Sequence, residues 1–192
     1  MKIAVVGAGY VGLVTGTCFA SLGNRVVCVD IDAKKIAALK KGKMPIYEPG
    51  LEELVRANLK KKTLSFAVDL KAAVRKSDMI FIAVGTPPKA NGEADLSFVE
   101  NVARTIAQEM TTYKLIVEKS TVPVQTGAWI RDTVARYSKK GVPFDVASNP
   151  EFLREGTAVK DFMNPDRVVL GVDSKRAQKL LPPQASSCYP VV

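Results

Sequence analysis

The chain alternates short apolar runs with longer stretches in which hydrophobic residues recur at helical spacing. The runs at 2–6 and 25–29 are typical of strands that are buried on both faces. Further strands are predicted at 64–68, 78–84, 114–118 and 144–147. Helices are predicted between them, at 10–21, 31–42, 51–61, 70–76, 96–110 and 125–137. Strands and helices that alternate in this way predict an α/β fold with a doubly wound, mostly parallel sheet.

A glycine-rich turn, GAGYVG at 7–12, joins the first strand to the first helix. In this G-x-G-x-x-G pattern Gly7 allows the tight turn, Gly9 lets the backbone approach a pyrophosphate, and Gly12 lets the helix pack close to the strand. The free amides at the start of the helix, at Tyr10 and Val11, are expected to face the phosphates. The alternative is an α/β domain without a nucleotide, because glycines also gather in ordinary turns.

The second strand ends on Asp30, where a carboxylate is placed to accept a hydrogen bond from a ribose 2′-hydroxyl. An anionic side chain there would repel a 2′-phosphate, so the predicted cofactor is NAD rather than NADP. Lys34 and Lys35 follow and could reach the cofactor phosphates or be solvated. Strand, glycines, helix, second strand and acid in this order predict a Rossmann-like dinucleotide site.

Composition narrows the class of protein. The 192 residues are 47% hydrophobic and 24% charged, which is typical of a globular domain. No apolar run approaches the roughly 18 residues of a membrane span, and the first strand follows Met1 directly, so we expect a cytoplasmic protein without a signal peptide or membrane partner. The net charge of +9 favours anionic ligands, but no nucleic-acid motif accompanies it and no nucleic-acid partner is expected.

The residue types present also limit the chemistry. Because the chain has no histidine, proton transfer must fall to Glu, Asp, Lys, Tyr, Cys or a bound water, which excludes dehydrogenase mechanisms with a histidine base. Cys18, Cys28 and Cys188 show neither paired nor metal-type spacing, so no disulfide and no metal site are expected. Cys18 and Cys28 are predicted to be small core residues.

Polar segments follow several predicted strands, at the edge where a doubly wound sheet binds its ligands. GTPP at 85–88 offers Thr86 as a cofactor contact, unless it is a plain proline turn. KSTVP at 119–123 follows the next strand. SNPEFLREGTA at 148–158 carries Glu151 and Glu155, which would face the same way if the stretch were helical and could then act as acid and base. The alternative for this pair is a solvated helix start.

Six motifs occur in a fixed order along residues 1–181: GAGYVG, EPGLEEL, GTPP, EKSTVPV, SNPEFLREGTA and NPDRVVLG. In this combination the chain resembles the N-terminal half of the UDP-glucose/GDP-mannose dehydrogenase family. EGTA at 155–158 and NPDRV at 164–168 resemble the UDP-glucose 6-dehydrogenase branch, although a GDP-mannose enzyme remains an alternative. The resemblance implies oxidation of UDP-glucose to UDP-glucuronate, in which the C6 alcohol becomes a carboxylate, two NAD are consumed, and a cysteine carries a thioester that water hydrolyses.

The resemblance also implies roles for individual residues. It assigns NAD binding to Gly7, Gly9, Tyr10, Val11, Gly12, Asp30, Lys35 and Thr86. Thr121 is similar to the family threonine that lies near the nicotinamide and helps to hold a catalytic water. Glu151 resembles the acid/base, and Glu155 the residue that touches both cofactor and substrate. The sugar is implied to lie along Glu151, Phe152, Leu153, Arg154 and Glu155.

The end of the sequence departs from the family pattern. Family enzymes continue into a central helix and a second, UDP-binding domain with the nucleophilic cysteine in a GGSCFPKD-like stretch, and no such stretch occurs here. Cys188 lies in SSCYP without the flanking glycines and is not assigned that role. We therefore expect an NAD-binding domain at 1–181, an irregular, disordered tail at 182–192, and a truncated chain that is inactive or nearly so alone. Full-length family members are expected to be homo-oligomers. The rival interpretation is a non-catalytic NAD-binding module.

Overall fold

A computed structural model of the protein describes residues 1–119, 122–123 and 125–181. Seven strands occur in this part of the chain: β1 (Lys2–Val6), β2 (Arg25–Val29), β3 (Leu64–Ala67), β4 (Met79–Ile82), β5 (Lys114–Glu118), β6 (Phe144–Ser148) and β7 (Gly171–Val172). The helices are α1 (Tyr10–Ser21), α2 (Ala33–Lys40), α3 (Leu51–Lys61), α4 (Leu70–Lys76), α5 (Ser97–Glu109), α6 (Thr126–Tyr137), α7 (Ala158–Met163) and α8 (Lys175–Leu180).

The strands form one sheet in the order β3-β2-β1-β4-β5-β6-β7. Every pairing from β3 across to β6 is parallel. This order confirms the prediction of a Rossmann-like, doubly wound sheet. The two-residue β7 pairs antiparallel with the end of β6, through Ala147↔Val172 and Ser148↔Gly171. β7 was not predicted, because two residues are too few to show a strand period.

Alternate residues of the central strands point into two separate cores. Ile3, Val5 and Phe81 face the side covered by α1, α2, α3, α7 and α8. Ala4 and Ile80 face the side covered by α4, α5 and α6. Burial on both faces explains why these strands are apolar without alternation.

The predicted core cysteines are confirmed, since Cys18 in α1 and Cys28 in β2 are both fully buried. A Cβ added at Gly16 would lie 2.3 Å from the Cys28 sulfur, so α1 packs closely against β2 at this point. Among the helices that the structure describes, none is long and apolar enough to cross a membrane.

The helices α2, α5 and α6 begin later than predicted, and for α2 and α5 an aspartate explains the start. α2 begins at Ala33 rather than at residue 31, because the Asp32 carboxylate accepts the Lys34 and Lys35 amides at 2.9 and 3.0 Å and so caps the helix. α5 begins at Ser97, whose amide donates to the Asp95 carboxylate at 2.9 Å.

Candidate active site

Backbone hydrogen bonds align the carboxyl ends of the parallel strands. At five places the residue that follows one strand donates its amide to the last residue of the neighbouring strand. These pairs are Gly7 to Val29 (2.8 Å), Asp30 to Ala67 (3.2 Å), Ala83 to Val6 (2.8 Å), Lys119 to Ile82 (2.9 Å) and Asn149 to Glu118 (2.8 Å). The glycine-rich turn, Asp30, the 85–88 turn and the 149–157 segment therefore start from one edge of the sheet.

The glycine-rich turn leaves no space for two side chains and open space at a third position. Gly7 has φ +100°, and a Cβ there would lie 2.4 Å from the carbonyl oxygen of Ala83. A Cβ at Gly12 would lie 1.8 Å from the carbonyl oxygen of Gly7. At Gly9, by contrast, no atom lies within 4 Å of the added Cβ. The chain is thus tight against the sheet and open outward at the residue that a pyrophosphate would approach.

The start of α1 suits an anion. Gly9 caps the helix without a side-chain hydrogen bond, and the first turn holds no acidic residue. The first-turn amides, at Tyr10, Val11 and Gly12, have no partners within the helix ladder and lie at the positive end of its dipole. A helix start of this kind, opened by glycines, is a binding site for phosphate groups.

Asp30 is held in place from three sides. One oxygen of its carboxylate, Oδ2, accepts the Ala8 amide at 2.9 Å and the Lys35 ammonium at 2.8 Å, and the other accepts the Asp32 amide at 3.0 Å. Burial by itself would raise the pKa of Asp30, but the hydrogen bonds from Lys35, Asp32 and Ala8 outweigh it and lower the pKa. The side chain is therefore an oriented anion beside the glycine-rich turn, and Lys35 is ion-paired rather than freely solvated.

Of the two threonines predicted to contact the cofactor, the structure describes one. Thr86 is half-buried at the base of a small hairpin. That hairpin is closed by the Lys89 amide on Glu93 at 2.7 Å and the Asp95 amide on Pro87 at 2.8 Å. Thr121 lies outside the described residues, as does the predicted tail at 182–192.

The helix on which a shared face for Glu151 and Glu155 depends does not form. Residues 151–154 have no regular structure, Gly156 turns the chain with φ +88°, and α7 begins only at Ala158. The half-buried Glu151 carboxylate accepts the amide of Leu153, while Glu155 is exposed. The two carboxylates are therefore held by a loop and do not share a helix face.

Three residues of the predicted sugar segment, Phe152, Arg154 and Glu155, are exposed. The Arg154 guanidinium reaches Asp161 in α7 with two hydrogen bonds of 3.0 and 3.1 Å. This pairing, together with the Thr157 hydroxyl at 2.8 Å, lowers the pKa of Asp161 to about 2. The Phe152 ring lies 51% exposed, with the Arg167 guanidinium 5.5 Å from its centroid. The segment thus presents an aromatic face and is fixed to α7 at its far end.

Lys119 is a buried cation beneath this segment that the sequence analysis left without a role. Its side chain is 5% exposed, and its ammonium donates to the Asn149 side chain at 3.1 Å. Burial lowers the pKa of Lys119 to about 8, although the Glu151 and Glu118 carboxylates act in the opposite direction. Because strand residues alternate, Lys119 falls on the same side as Val117, and this register could have indicated its burial.

Glu48 is the second residue that the sequence analysis missed. It lies in the turn before α3, is 5% exposed, and accepts hydrogen bonds from the Tyr10 hydroxyl and, at 2.8 Å, from the Gly156 amide. Burial raises the pKa of Tyr10, and the hydrogen bond to Glu48 raises it further. The Tyr10 hydroxyl also lies 3.5 Å from the Arg154 carbonyl oxygen. The only signal in the sequence was its place in EPGLEEL, one of the motifs of the resemblance.

A cavity of about 100 Å³ adjoins the 149–157 segment on the α1 side of the sheet. Aromatic and aliphatic side chains from α1, β4 and the residues after β6 form most of its wall, among them Phe19, Phe81, Phe162 and Leu170. Lys119 and Asp161 contribute charged groups to the same wall. The segment is therefore supported from below by an incompletely filled apolar layer.

Comparison with known proteins agrees with this geometry. The NAD binding domain of the UDP-glucose/GDP-mannose dehydrogenase family matches residues 1–184. UDP-glucose 6-dehydrogenase TuaD of Bacillus subtilis is 54% identical over 180 residues, which are 94% of this chain and 39% of that protein. The chain therefore spans well under half the length of this curated relative.

Solved structures give the same result. A UDP-glucose dehydrogenase from Pyrobaculum islandicum matches with a TM-score of 0.91 and 44% identity, over 98% of this chain and 44% of that one. A GDP-mannose dehydrogenase from Pseudomonas aeruginosa matches with a TM-score of 0.88 and 40% identity, over 97% of this chain and 44% of that one. The predicted resemblance and the predicted cofactor, NAD, are confirmed. The chain belongs to the UDP-glucose/GDP-mannose dehydrogenase family, and what it contains is the family's NAD binding domain.

Proposed function

We propose that this chain supplies the NAD-binding half of a UDP-glucose 6-dehydrogenase. The complete reaction converts the C6 alcohol of UDP-glucose to a carboxylate, takes up one water, and passes two hydrides to two NAD. The observation that supports this best is the meeting of two loops at one sheet edge: the glycine-rich turn and the 149–157 segment approach within 3.5 Å, from the Tyr10 hydroxyl to the Arg154 carbonyl oxygen. A cofactor and a sugar bound to these loops would be neighbours.

On the cofactor side, backbone amides bind the anionic part of NAD and a carboxylate binds a hydroxyl group. The first-turn amides of α1 bind the pyrophosphate, with Gly9 leaving room for it, and Asp30 accepts the ribose hydroxyl. Lys35 orients the Asp30 carboxylate, and Thr86 contacts the ribose or pyrophosphate from the 85–88 turn. When bound, NAD supplies the chemistry that this chain lacks, by accepting the hydride from C6.

On the sugar side, Glu151 is the proposed acid/base and Thr121 the proposed partner of the catalytic water. The bond from the Leu153 amide leaves Glu151 with a free lone pair to accept a proton from the C6 hydroxyl or from water. The Lys119 ammonium, which donates to Asn149, lies beneath the segment and attracts the Glu151 carboxylate. Phe152, Leu153 and Arg154 would line the sugar, and Glu155 would reach both ligands.

The described part of the chain offers no nucleophile for a thioester. Cys18 and Cys28 are fully buried, and burial raises the pKa of each thiol to about 12. A thiol of this kind is neither ionised nor accessible at neutral pH. We therefore propose that the chain binds NAD but does not turn over UDP-glucose unless the rest of the enzyme is supplied. This leaves a non-catalytic NAD-binding module as the second candidate function.

The substrate proposal follows the relatives. The 54% identical relative is a UDP-glucose 6-dehydrogenase, whereas the GDP-mannose dehydrogenase structure is 40% identical. This difference favours UDP-glucose over GDP-mannose. Both substrates would meet the same Glu151 segment, so the choice does not alter the roles proposed above.

Calorimetric titration of the chain with NAD, NADP and UDP-glucose tests the proposal. We expect NAD to bind, NADP to bind more weakly, and no NADH to form with UDP-glucose. Addition of the C-terminal half of a UDP-glucose 6-dehydrogenase should restore NADH formation. Failure to bind NAD would overturn the proposed function, and NADH formation by the chain alone would overturn its inactivity. Binding of NAD with no activity in the presence of the second half would leave the NAD-binding module as the function.

A further inference from the structure

We propose that Glu48 is a positioning residue that couples the glycine-rich turn to the 151–157 segment, so that cofactor binding changes the position of the residues that contact the sugar. The inference rests on the proposed function, because it requires NAD to occupy the glycine-rich turn. Glu48 lies outside both loops and belongs to the turn that precedes α3.

The local structure of this turn directs the Glu48 carboxylate inward. Tyr47 is 90% exposed and Glu48 is 5% exposed, so neighbouring side chains point in opposite directions. Gly50, with φ +78°, caps α3, and the Leu51 amide donates to the Glu48 carbonyl oxygen at 3.1 Å. Glu48 is therefore anchored to the start of a regular helix, which limits its freedom to follow either loop.

A single oxygen of Glu48 joins the two loops. Oε2 accepts both the Tyr10 hydroxyl and the Gly156 amide, the latter at 2.8 Å. Tyr10 is the first residue of α1 and lies inside the G-x-G-x-x-G pattern. Gly156 ends the segment that contains Glu151 and turns the chain into α7. Because both donors share one acceptor atom, a displacement of one changes the bond of the other.

The carboxylate is costly in this place, which favours a functional reason for it. The other oxygen, Oε1, is buried and has no hydrogen-bond partner among the residues that the structure describes. Within the same residues, no basic side chain forms an ion pair with Glu48. A buried charge with one unsatisfied oxygen destabilises the fold unless other contacts compensate. A hydrogen-bonded link that served packing alone could be made by an uncharged side chain.

The coupling follows from the position of Tyr10. When the first turn of α1 closes on a pyrophosphate, the Tyr10 hydroxyl moves with it, and Glu48 transmits the change to the Gly156 amide. Coupling between two sites is reciprocal, so a ligand that fixes the 151–157 segment must also favour NAD binding. In this arrangement the sugar segment is ordered best when the cofactor is already bound.

Nuclear magnetic resonance of the 192-residue chain, labelled with ¹⁵N, tests the coupling at the Gly156 amide. In the unmodified chain we expect this amide to be protected from hydrogen exchange and to shift when NAD is added. In Glu48→Gln, the uncharged side-chain oxygen accepts the Tyr10 hydroxyl and the Gly156 amide less strongly. Hydrogen exchange of the Gly156 amide should therefore be faster by about tenfold. The NAD-induced shift of Gly156 should then disappear, while the shifts of Gly7 and Gly9 remain.

Two further variants keep the test decisive. Glu53→Gln changes an exposed glutamate in the first turn of α3 and should leave the Gly156 signal as in the unmodified chain. Tyr10→Phe removes only the hydroxyl and should also abolish the NAD-induced shift of Gly156 at saturating NAD. If Glu48→Gln fails to fold, as its melting curve would show, Tyr10→Phe becomes the deciding variant.

The outcomes separate this inference from the proposed function. If NAD shifts neither the amide signals of the glycine-rich turn nor that of Gly156, the proposed function fails. If NAD shifts the amide signal of Gly9 in the unmodified chain but not that of Gly156, the coupling is refuted. An NAD-induced Gly156 shift that is unchanged in folded Glu48→Gln, or in Tyr10→Phe, refutes it as well.

Discussion

Replacing Asp30 by serine should weaken NAD binding and at the same time improve NADP binding. In the structure the Asp30 carboxylate is 11% exposed and is oriented by the Ala8 amide at 2.9 Å and the Lys35 ammonium at 2.8 Å. Serine removes the charge and one of the two acceptor oxygens. It also leaves the Lys35 ammonium without its partner, beside the position where the ribose 2′ group is expected.

The magnitude can be worked from the contacts. Loss of a charge-assisted hydrogen bond to the 2′-hydroxyl costs about 1 to 3 kcal/mol. This corresponds to a rise of about 5- to 150-fold in the Kd for NAD. For NADP, each negative charge of a phosphate about 4 Å from a carboxylate is repelled by about 4 kcal/mol at an effective dielectric constant of about 20. Lys35 lowers that figure, because it neutralises part of the Asp30 charge. Serine removes the repulsion and frees Lys35 for the phosphate, so the Kd for NADP should fall.

Calorimetric titration of Asp30→Ser and of a control variant with NAD and with NADP measures these changes. Asp32→Ser is the matched control, because Asp32 lies in the same turn but caps α2 with its exposed side chain. It should bind NAD and NADP like the unmodified chain. An Asp30→Ser chain that melts at the original temperature and keeps its NAD affinity would remove Asp30 from the ribose site. Unchanged NADP affinity would show that charge repulsion does not set the cofactor preference.

Three further predictions concern the backbone, a buried cation and the thiols. Gly12→Ala should lower the unfolding free energy by about 1 to 3 kcal/mol or more, because its Cβ would lie 1.8 Å from a carbonyl oxygen. Gly9→Ala should fold normally and lose NAD affinity, and thermal melting with NAD titration separates the two effects. Lys119 has its pKa lowered from 10.5 to about 8 in the folded chain, so its own contribution to the folding stability should rise with pH between these values, while the Cys18 and Cys28 thiols act in the opposite direction above about pH 9. The unfolding free energy of the unmodified chain relative to Lys119→Met should therefore rise over this range, as melting curves of the two chains at each pH can measure. Cys18 and Cys28 should resist iodoacetamide at neutral pH until the chain unfolds, as peptide mapping can establish.

The regular elements were predictable because each is specified locally. The bounds of β1, α1, β2, α3, α4 and β5 agree residue for residue with the hydrophobic pattern. In these stretches, strands buried on both faces give unbroken apolar runs, and glycines mark where α1 and α3 are entered. The position of the glycine-rich turn followed from the spacing of its glycines, although the carbonyl oxygen that leaves no room for a Cβ at Gly7 belongs to Ala83, which is distant in the sequence.

The conformation of the 148–158 segment was not predictable, because spacing alone does not make a helix. Glu151 and Glu155 stand four residues apart, but Pro150 precedes them and Gly156 takes a positive φ. The stretch is instead held by contacts with distant residues. The Gly156 amide bonds to Glu48, 108 residues away in the sequence, and the preceding Asn149 bonds to Lys119, 30 residues away. No periodicity within the segment encodes partners at such distances.

The two residues missed in the sequence lead to the same physical conclusion about this site. Glu48 and Lys119 are charged and 5% exposed, and they bond to Gly156 and Asn149, which lie near the two ends of the segment that carries Glu151. Burial of unlike charges around a loop makes its position depend on a few polar contacts rather than on an apolar core. A loop fixed in this way can be released by the loss of a single hydrogen bond, whereas a packed helix cannot. This explains why a helix across 151–155 would suit the site poorly: it would satisfy its own amides and leave Gly156 nothing to offer Glu48.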